Sequence, residues 1–197
     1  MHVPSISSGK HHFLSSGDFL VGNVEQLEAM SGLEPGQISL VPHDSSWSAL
    51  AAGELVRIRE ACPDSIIESK HIGSSSVPGL LSRPVLDLLI GVQEMMESGD
   101  AIQPLKLIGY RCHGEQGVPG RRFFTLSRET RCLVHVHLYR VGSPLWEAAI
   151  AFPDHLRSNP DSARAFDELR VECVKTDPGD LVAYEKAKRD FETNAIG

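Results

Sequence analysis

The sequence predicts a mixed α+β fold, and two observations carry that prediction. Five short, largely apolar runs are typical of strands, whereas the last third of the chain shows helical spacing after three helix-opening signals. The 197 residues suffice for one hydrophobic core. We therefore expect one domain over residues 38–197. A Ser-, Gly- and His-rich extension, residues 1–37, precedes it and is either partly disordered or docked as a short helix over about 24–30.

The first elements of the domain are a strand, a helix and a second strand. Residues 38–42 form a short apolar run that a proline ends. A helix over 46–61 follows, because Asp44 or Ser45 can accept hydrogen bonds from its first N–H groups and apolar residues recur at helical spacing. Residues 65–72 then predict a strand that ends at a glycine.

Three further strands and four helices complete the prediction. The run 84–92 is strongly apolar, 100–108 has one apolar helical face, and 121–126 with 131–139 flank a segment typical of a hairpin. Helices then begin at three proline-containing signals, since proline suits the first helical position: Ser143-Pro144, Asn159-Pro160 and the segment 177–180.

The overall charge argues against two classes of partner. Lys and Arg total 19 against 26 Asp and Glu, a net charge of −7, which disfavours non-specific binding to nucleic acid or to an anionic membrane. We expect a cytoplasmic location, because no apolar run approaches the length of about 18 residues typical of a membrane span and no signal-peptide pattern opens the chain. The widely spaced cysteines predict buried free thiols: Cys62, Cys112, Cys132 and Cys173.

The most informative segment is a small-residue loop followed by a strand with a single charge. Gly73, Ser74 and Ser75 begin the loop, and Asp87 is the only charged residue of the run 84–92. A carboxylate in such surroundings costs several kcal/mol unless it is paired, hydrogen-bonded or bound to a cation. A glycine allows close approach of a ligand, and the following N–H groups and hydroxyls suit phosphate oxygens. The loop is either an ordinary turn or a phosphate-binding element.

Two segments offer cations for an anionic ligand. Arg121 and Arg122 follow a glycine-rich stretch and enter a strand, so they point to opposite faces and at most one reaches a given pocket. A guanidinium suits carboxylate or phosphate, so a structural salt bridge is the alternative. Lys188 shares a helical face with Tyr184 and either joins the same cleft or lies on a solvated surface.

Two histidines one residue apart form the third candidate group. His135 and His137 project from one face of the strand 131–139, while the aliphatic residues between and beside them form the core face. Two imidazoles on one face either bind a transition metal, act as acid and base near neutral pH, or are simply hydrogen-bonded or solvated. We take Asp87, His135 and His137 as the candidate catalytic and metal-binding residues.

From residue 40 to about residue 191 the chain resembles the GrpB family, whose members carry a nucleotidyltransferase-like fold. The resemblance rests on the following segments: Val-Pro-His-Asp at 41–44 with Trp47, His-Ile-Gly-Ser-Ser-Ser-Val-Pro-Gly-Leu at 71–80, Arg-Pro-Val-Leu-Asp at 83–87, Gly-Tyr at 109–110, Gly-Val-Pro-Gly-Arg-Arg-Phe-Phe at 117–124, His-Val-His at 135–137, Gly-Ser-Pro at 142–144 and Tyr-Glu-Lys-Ala-Lys at 184–188. It implies a mixed sheet flanked by helices, with a helical C-terminal third.

The resemblance also implies a particular kind of site. Active nucleotidyltransferases of this fold have a Gly-Ser element and then two acids one residue apart on a strand, often with a third acid on a later strand, and these hold two divalent metals. Gly73, Ser74 and Asp87 match the first parts of that pattern. The second acidic position is Leu89, and histidines stand on the strand of the third. A carboxylate with imidazoles favours Mn²⁺ or Zn²⁺ over Mg²⁺.

Three functions follow from these observations. The first is binding of a small phosphorylated molecule or nucleotide, or nucleotidyl transfer, with a divalent metal at Asp87, His135 and His137. Its phosphate ligands are Gly73, Ser74, Ser75, Arg121 or Arg122, and Lys188. The second is a catalytically inactive ligand-binding or scaffold domain, which Leu89 favours because one acid does not hold two metals. The third is transfer with an acid supplied from elsewhere, such as Glu115.

Overall fold

The computed structural model describes residues 26–95 and 98–196 and centres on one five-stranded sheet. The spatial order of the strands is β1-β2-β5-β4-β3, with β2 and β5 parallel and the other neighbours antiparallel. The strands are β1 Glu68–Ile72, β2 Leu86–Val92, β3 Arg111–Cys112, β4 Arg122–Arg128 and β5 Arg131–Arg140. The predicted α+β class with a mixed sheet is confirmed.

Five α-helices of 10 residues or more surround the sheet in the described part of the chain. They are α1 Trp47–Ala61, α2 Ser98–Leu107, α3 Pro144–Ser158, α4 Pro160–Thr176 and α5 Leu181–Ile196. The helical C-terminal third begins its helices where the prolines predicted, and the Ser143 hydroxyl caps α3 by accepting a hydrogen bond from the Trp146 N–H at 3.3 Å. None of the helices described combines the length and the apolarity that crossing a bilayer requires.

The structure differs from the prediction in the shortest elements. Residues 38–42 do not form a strand, because only Val41 pairs, in an isolated bridge to Ser82. The next residue is proline, which has no N–H to extend a ladder. The two-residue β3 was not predicted, since two residues carry no periodicity. The predicted helix over 24–30 lies partly outside the described residues, but 26–28 are helical, and Leu27 and Met30 are buried.

Alternation along the strands separates a core face from a site face. The core face is covered by α1 and α2 and is formed by residues that are at most 1% exposed: Leu86, Leu88, Ile90, Phe124, Leu126, Val134, Val136 and Leu138. The intervening residues of β2 and β5 point the other way and include Asp87, His135 and His137. On that face Leu89 and Tyr139 pack with Trp146 of α3. The site face is therefore apolar at one end and titratable at the other.

A buried polar network stabilises the core side of α1. Glu54 is fully buried and accepts a 2.6 Å hydrogen bond from the Tyr110 hydroxyl, together with hydrogen bonds from Arg57. Arg57 also donates to the Ile108 carbonyl at 2.8 Å. Burial and the neighbouring Glu54 carboxylate raise the pKa of Tyr110 well above its ordinary value. The hydroxyl therefore remains protonated and donates to Glu54.

We expect Tyr110→Phe to lower the free energy of unfolding by about 1–3 kcal/mol, because it removes a donor from a buried carboxylate. Tyr184→Phe is the matched control, since the Tyr184 hydroxyl is buried and has no hydrogen-bond partner among the described residues. Urea denaturation of both variants measures the difference. Equal stability of the two variants would show that the hydrogen bond to Glu54 contributes nothing net.

Candidate functional site

Asp87, His135 and His137 form a compact group, here called the Asp-His cluster. The parallel register pairs Asp87 of β2 with His135 of β5, and His137 lies two residues further along the same face. The Asp87 Oδ1 atom lies 3.0 Å from His135 Nδ1 and 3.6 Å from His137 Nε2. One ligand atom from each residue lies within 4.8 Å of the others. The side chains are between 16% and 20% exposed, so the cluster is accessible to a small ligand.

The pKa shifts of its three side chains indicate which members of the Asp-His cluster are charged near pH 7. Burial opposes ionisation of Asp87, but the hydrogen bond from His135 and the nearby His137 lower the pKa of its carboxyl well below the ordinary value. Burial likewise opposes charge on His135, yet the Asp87 carboxylate raises the pKa of His135 to about 9. Burial dominates at His137 and lowers its pKa. Near pH 7 the cluster therefore holds one carboxylate, one imidazolium and one neutral imidazole.

Gly73 brings the loop directly against the Asp87 carboxylate. Its backbone angles, φ 68° and ψ −173°, lie in a region that is essentially restricted to glycine. A Cβ atom at this position would lie 2.5 Å from Asp87 Oδ2 and 2.9 Å from Asp87 Cβ. The loop therefore approaches β2 this closely because residue 73 has no side chain.

The two candidate serines of the loop have different surroundings. Ser75 is 1% exposed, and its hydroxyl lies 2.9 Å from His71 Nε2. Burial lowers the pKa of His71 to about 4, so this imidazole is neutral near pH 7. Ser74 is partly exposed and shares a 2.8 Å hydrogen bond with Ser82. The Ser75 hydroxyl is thus hydrogen-bonded to His71 in the interior, whereas Ser74 lies closer to solvent.

Arg121 lies on the same side of the sheet as the Asp-His cluster. Its guanidinium carbon is 4.8 Å from the centroid of the Phe123 ring, and that ring lies 5.2 Å from each of the His135 and His137 rings. The guanidinium donates to the backbone carbonyls of 115–116 at 3.1 and 2.8 Å. Burial is the main reason for the low pKa of His137, and the Arg121 charge lowers it further.

Arg122 points to the other face, as strand alternation requires. It pairs with Leu138, which is a core-face residue, and its guanidinium lies 3.8 Å from the Glu115 carboxylate. Glu115 also accepts a 2.8 Å hydrogen bond from the Gly120 N–H. Of the two arginines, only Arg121 is directed toward the Asp-His cluster, while Glu115 is engaged within its own loop.

Helix α5 contributes Glu185 and Lys188 to an ion-paired group with Arg83. Of these three residues, only Lys188 was predicted as a site residue from the sequence. Lys188 lies 3.4 Å from Glu185, and the other oxygen of Glu185 lies 2.9 Å from Arg83 in the segment before β2. Burial opposes the charge on Glu185, but the Lys188 and Arg83 cations lower the pKa of its carboxyl below the ordinary value. Burial also opposes the charge on Arg83, but Glu185 and then Asp87 raise the pKa of its guanidinium. The Asp87 charge therefore acts on this group of Arg83, Glu185 and Lys188.

Four residues of this site were missed as functional candidates by the sequence analysis: His71, Arg83, Glu185 and Glu192. Glu192 lies four residues after Lys188 on α5, and burial raises its pKa. Its spacing from Lys188 places both on one helical face, which was the available signal. Which face of α5 approaches the sheet depends on packing between distant segments.

Comparison with known proteins identifies the family. Residues 37–196 match the family model described as GrpB protein. The UPF0157 protein YqkA of Bacillus subtilis is 28% identical over 155 residues, which cover 79% of this chain but only 45% of YqkA.

A solved structure of a GrpB protein agrees with the family match. The crystal structure of the conserved protein GrpB from Enterococcus faecalis has a TM-score of 0.72 and 25% identity, over 80% of this chain and 97% of that chain. The Cid1 poly(U) polymerase bound to MgGTP has a TM-score of 0.43 and 15% identity, over 79% and 47% of the two chains. The resemblance inferred from the motifs is confirmed, and because the family model spans nearly the whole described domain, this chain belongs to the GrpB family.

Proposed function

We propose that this protein binds a small phosphorylated molecule or nucleotide together with one divalent metal ion at the Asp-His cluster. The observation that carries the proposal is the approach of three ligand atoms to within 4.8 Å of one another. Asp87 Oδ1 lies 3.0 and 3.6 Å from the two imidazole nitrogens. Neighbouring ligands of a tetrahedral zinc ion lie about 3.3 Å apart, given metal–ligand distances near ~2.0 Å.

The donor chemistry favours Zn²⁺ or Mn²⁺ over Mg²⁺. Two imidazoles and one carboxylate suit these ions, whereas Mg²⁺ prefers oxygen ligands in an octahedron. Three protein ligands leave a coordination position for a ligand oxygen. A metal held there would neutralise a phosphate oxygen and orient it.

The residues around the Asp-His cluster supply the rest of the proposed site. The backbone N–H groups that follow Gly73 and the hydroxyl of Ser74 form the loop side. Arg121 and Lys188 supply positive charge from β4 and α5. The loop, Arg121 and Lys188 come from separate elements and would all contact one ligand. We therefore propose a compact phosphorylated molecule as the ligand class.

A second candidate function is binding without catalysis, and Leu89 favours it. Leu89 is fully buried and packs with Ile72, Tyr139 and Trp146 at the apolar end of the site face. A carboxylate at position 89 would be desolvated there. The two-metal arrangement of nucleotidyl transfer needs such a second acid, so we place ligand binding ahead of transfer.

The proposal is tested by thermal shift on protein freed of metal with EDTA. We expect Zn²⁺ or Mn²⁺ to raise the melting temperature more than Mg²⁺, and nucleoside triphosphate to raise it further. Release of pyrophosphate from the triphosphate would favour transfer, and its absence in the presence of bound nucleotide would favour the non-catalytic candidate. Absence of a shift with every metal, together with no retained metal by mass spectrometry, would refute the metal site.

We expect the metal affinity to rise with pH between about 7 and 9. The pKa of His135 is raised to about 9, so its Nδ1 carries a proton that a metal ion must displace. Below that pKa the apparent affinity should fall by about tenfold for each unit decrease in pH. Competition with a chromogenic chelator at pH 6.5, 7.5 and 8.5 would measure this, after correction for the chelator's own protonation. A pH-independent affinity would exclude His135 Nδ1 as a ligand.

A further inference from the structure

The Glu185 carboxylate of α5 is held between two cations, Arg83 and Lys188. Its Oε1 lies 2.9 Å from Arg83 Nη1, and its Oε2 lies 3.4 Å from Lys188 Nζ. The Arg83 and Lys188 side chains are 16% and 19% exposed, so both cations are largely withdrawn from water. Two cations that share one carboxylate in such surroundings form a place suited to an anion.

An aromatic ring fixes the two cations beside each other. The Arg83 guanidinium carbon and the Lys188 ammonium nitrogen each lie 5.8 Å from the centroid of the Tyr184 ring. Attraction to the ring face offsets part of the repulsion between the two positive charges. Tyr184 itself is 1% exposed, so the ring that supports the pair is held by the surrounding structure.

Among the described residues, Glu185 is the acid with an oxygen at ion-pair distance from both Arg83 and Lys188. Asp87 is instead paired with His135, whose Nδ1 lies 3.0 Å from Asp87 Oδ1. The Glu185 carboxylate is therefore the anion that a phosphate group would have to replace at this pair of cations.

We propose that Arg83 and Lys188 form the binding site for the terminal phosphate group of the ligand, and that the Glu185 carboxylate occupies this site until a phosphate replaces it. The inference rests on the proposed function, because it assigns the phosphate end of the ligand that the Asp-His cluster would bind. A phosphate accepts hydrogen bonds from the forked guanidinium and from the ammonium group in the same way as the carboxylate does.

The test is the affinity of the full chain for inorganic pyrophosphate, measured calorimetrically in EDTA. We expect Glu185→Gln to bind pyrophosphate about tenfold more tightly than the native chain, because it removes the competing anion but keeps the side-chain shape. Asp190→Asn is the matched control. It removes one negative charge from the exposed Lys186–Asp190 pair on the same helix, where the two groups are 2.6 Å apart, and should change the affinity less than about twofold.

A second pair of variants tests the cation side without depending on Glu185. Lys188→Gln should weaken pyrophosphate binding at least about tenfold, while Lys186→Gln on the exposed face should not. The inference is overturned if Glu185→Gln binds no more tightly than Asp190→Asn, or if Lys188→Gln behaves like Lys186→Gln. Absence of pyrophosphate binding to any folded variant would also overturn it.

The outcomes separate this inference from the proposed metal site. Because EDTA removes metal, a tighter Glu185→Gln complex supports the phosphate site whatever the Asp-His cluster binds. Zinc binding by the native chain without any pyrophosphate effect would leave the metal proposal standing and the phosphate assignment refuted.

Discussion

Replacing Gly73 with alanine is expected to lower the free energy of unfolding by about 3 kcal/mol or more, because it combines a glycine-only conformation with a direct clash. The new Cβ would lie 2.5 Å from Asp87 Oδ2 and 3.0 Å from Asp87 Cγ, so either the loop or the carboxylate must move. Either movement would change the position of the loop relative to the Asp87 carboxylate, which is a proposed metal ligand. We therefore expect the folded fraction of Gly73→Ala to lose affinity for Zn²⁺ as well.

Gly79 is the matched control for this substitution. It also has a positive φ, 80°, but a Cβ there would meet no atom within 4 Å. Gly79→Ala should therefore cost only the backbone strain, about 1 kcal/mol, and leave metal binding unchanged. Urea denaturation and chelator competition on the two variants measure both effects. Similar losses of stability would mean that the contact between Gly73 and Asp87 does not constrain the site.

Asp87→Asn is expected to weaken Zn²⁺ binding by about 100-fold or more, because it replaces the single anionic ligand of the Asp-His cluster with a neutral amide. The same change removes the partner that holds the proton on His135. The pKa of His135 should then fall from about 9 to below 6.5, which histidine NMR titration detects. Retention of native zinc affinity by Asp87→Asn would refute the assignment of Asp87 as a ligand.

The Asp87→Asn variant also has a defined effect on stability in the absence of metal. The raised pKa of His135 stabilises the fold fully below about 6.5, and this contribution is lost as the pH rises through about 9. The lowered pKa of Asp87 contributes above its unfolded value near 3.8 and is lost at lower pH. The difference from the native chain should therefore be largest between about pH 4 and 6.5, where it should reach about 2 kcal/mol.

Asp161→Asn is the control for this comparison. Asp161 pairs with Arg164 on the surface of α4, and both side chains are mostly exposed. Exposed pairs contribute little, so this variant should follow the native stability curve within about 0.5 kcal/mol at every pH. Denaturant titrations from pH 4 to 9 on the three proteins measure the curves. A pH-independent difference for Asp87→Asn would contradict coupling between Asp87 and His135.

The parts predicted well are those in which neighbouring residues carry the information. Alternation along β2 and β5 predicted that Asp87, His135 and His137 turn away from the core, because successive strand residues point to opposite faces. Proline at the start of α3 and α4 predicted where those helices begin. The run 38–42 shows the limit, since its apolar character did not overcome the lack of a strand partner.

The α+β class, the family, the loop and strand that contain Asp87, and the histidine pair could all be predicted from the sequence. Each depends on residue type and on the spacing between nearby residues. The pairing of β2 and β5 as parallel neighbours became visible in the three-dimensional structure, and it brings Asp87 within 3.0 Å of His135 although 48 residues separate them. The tertiary structure also decided that α5 places Glu185 between Arg83 and Lys188. Such contacts depend on how separate elements pack together, and that depends on burial summed over the whole chain rather than on any local pattern.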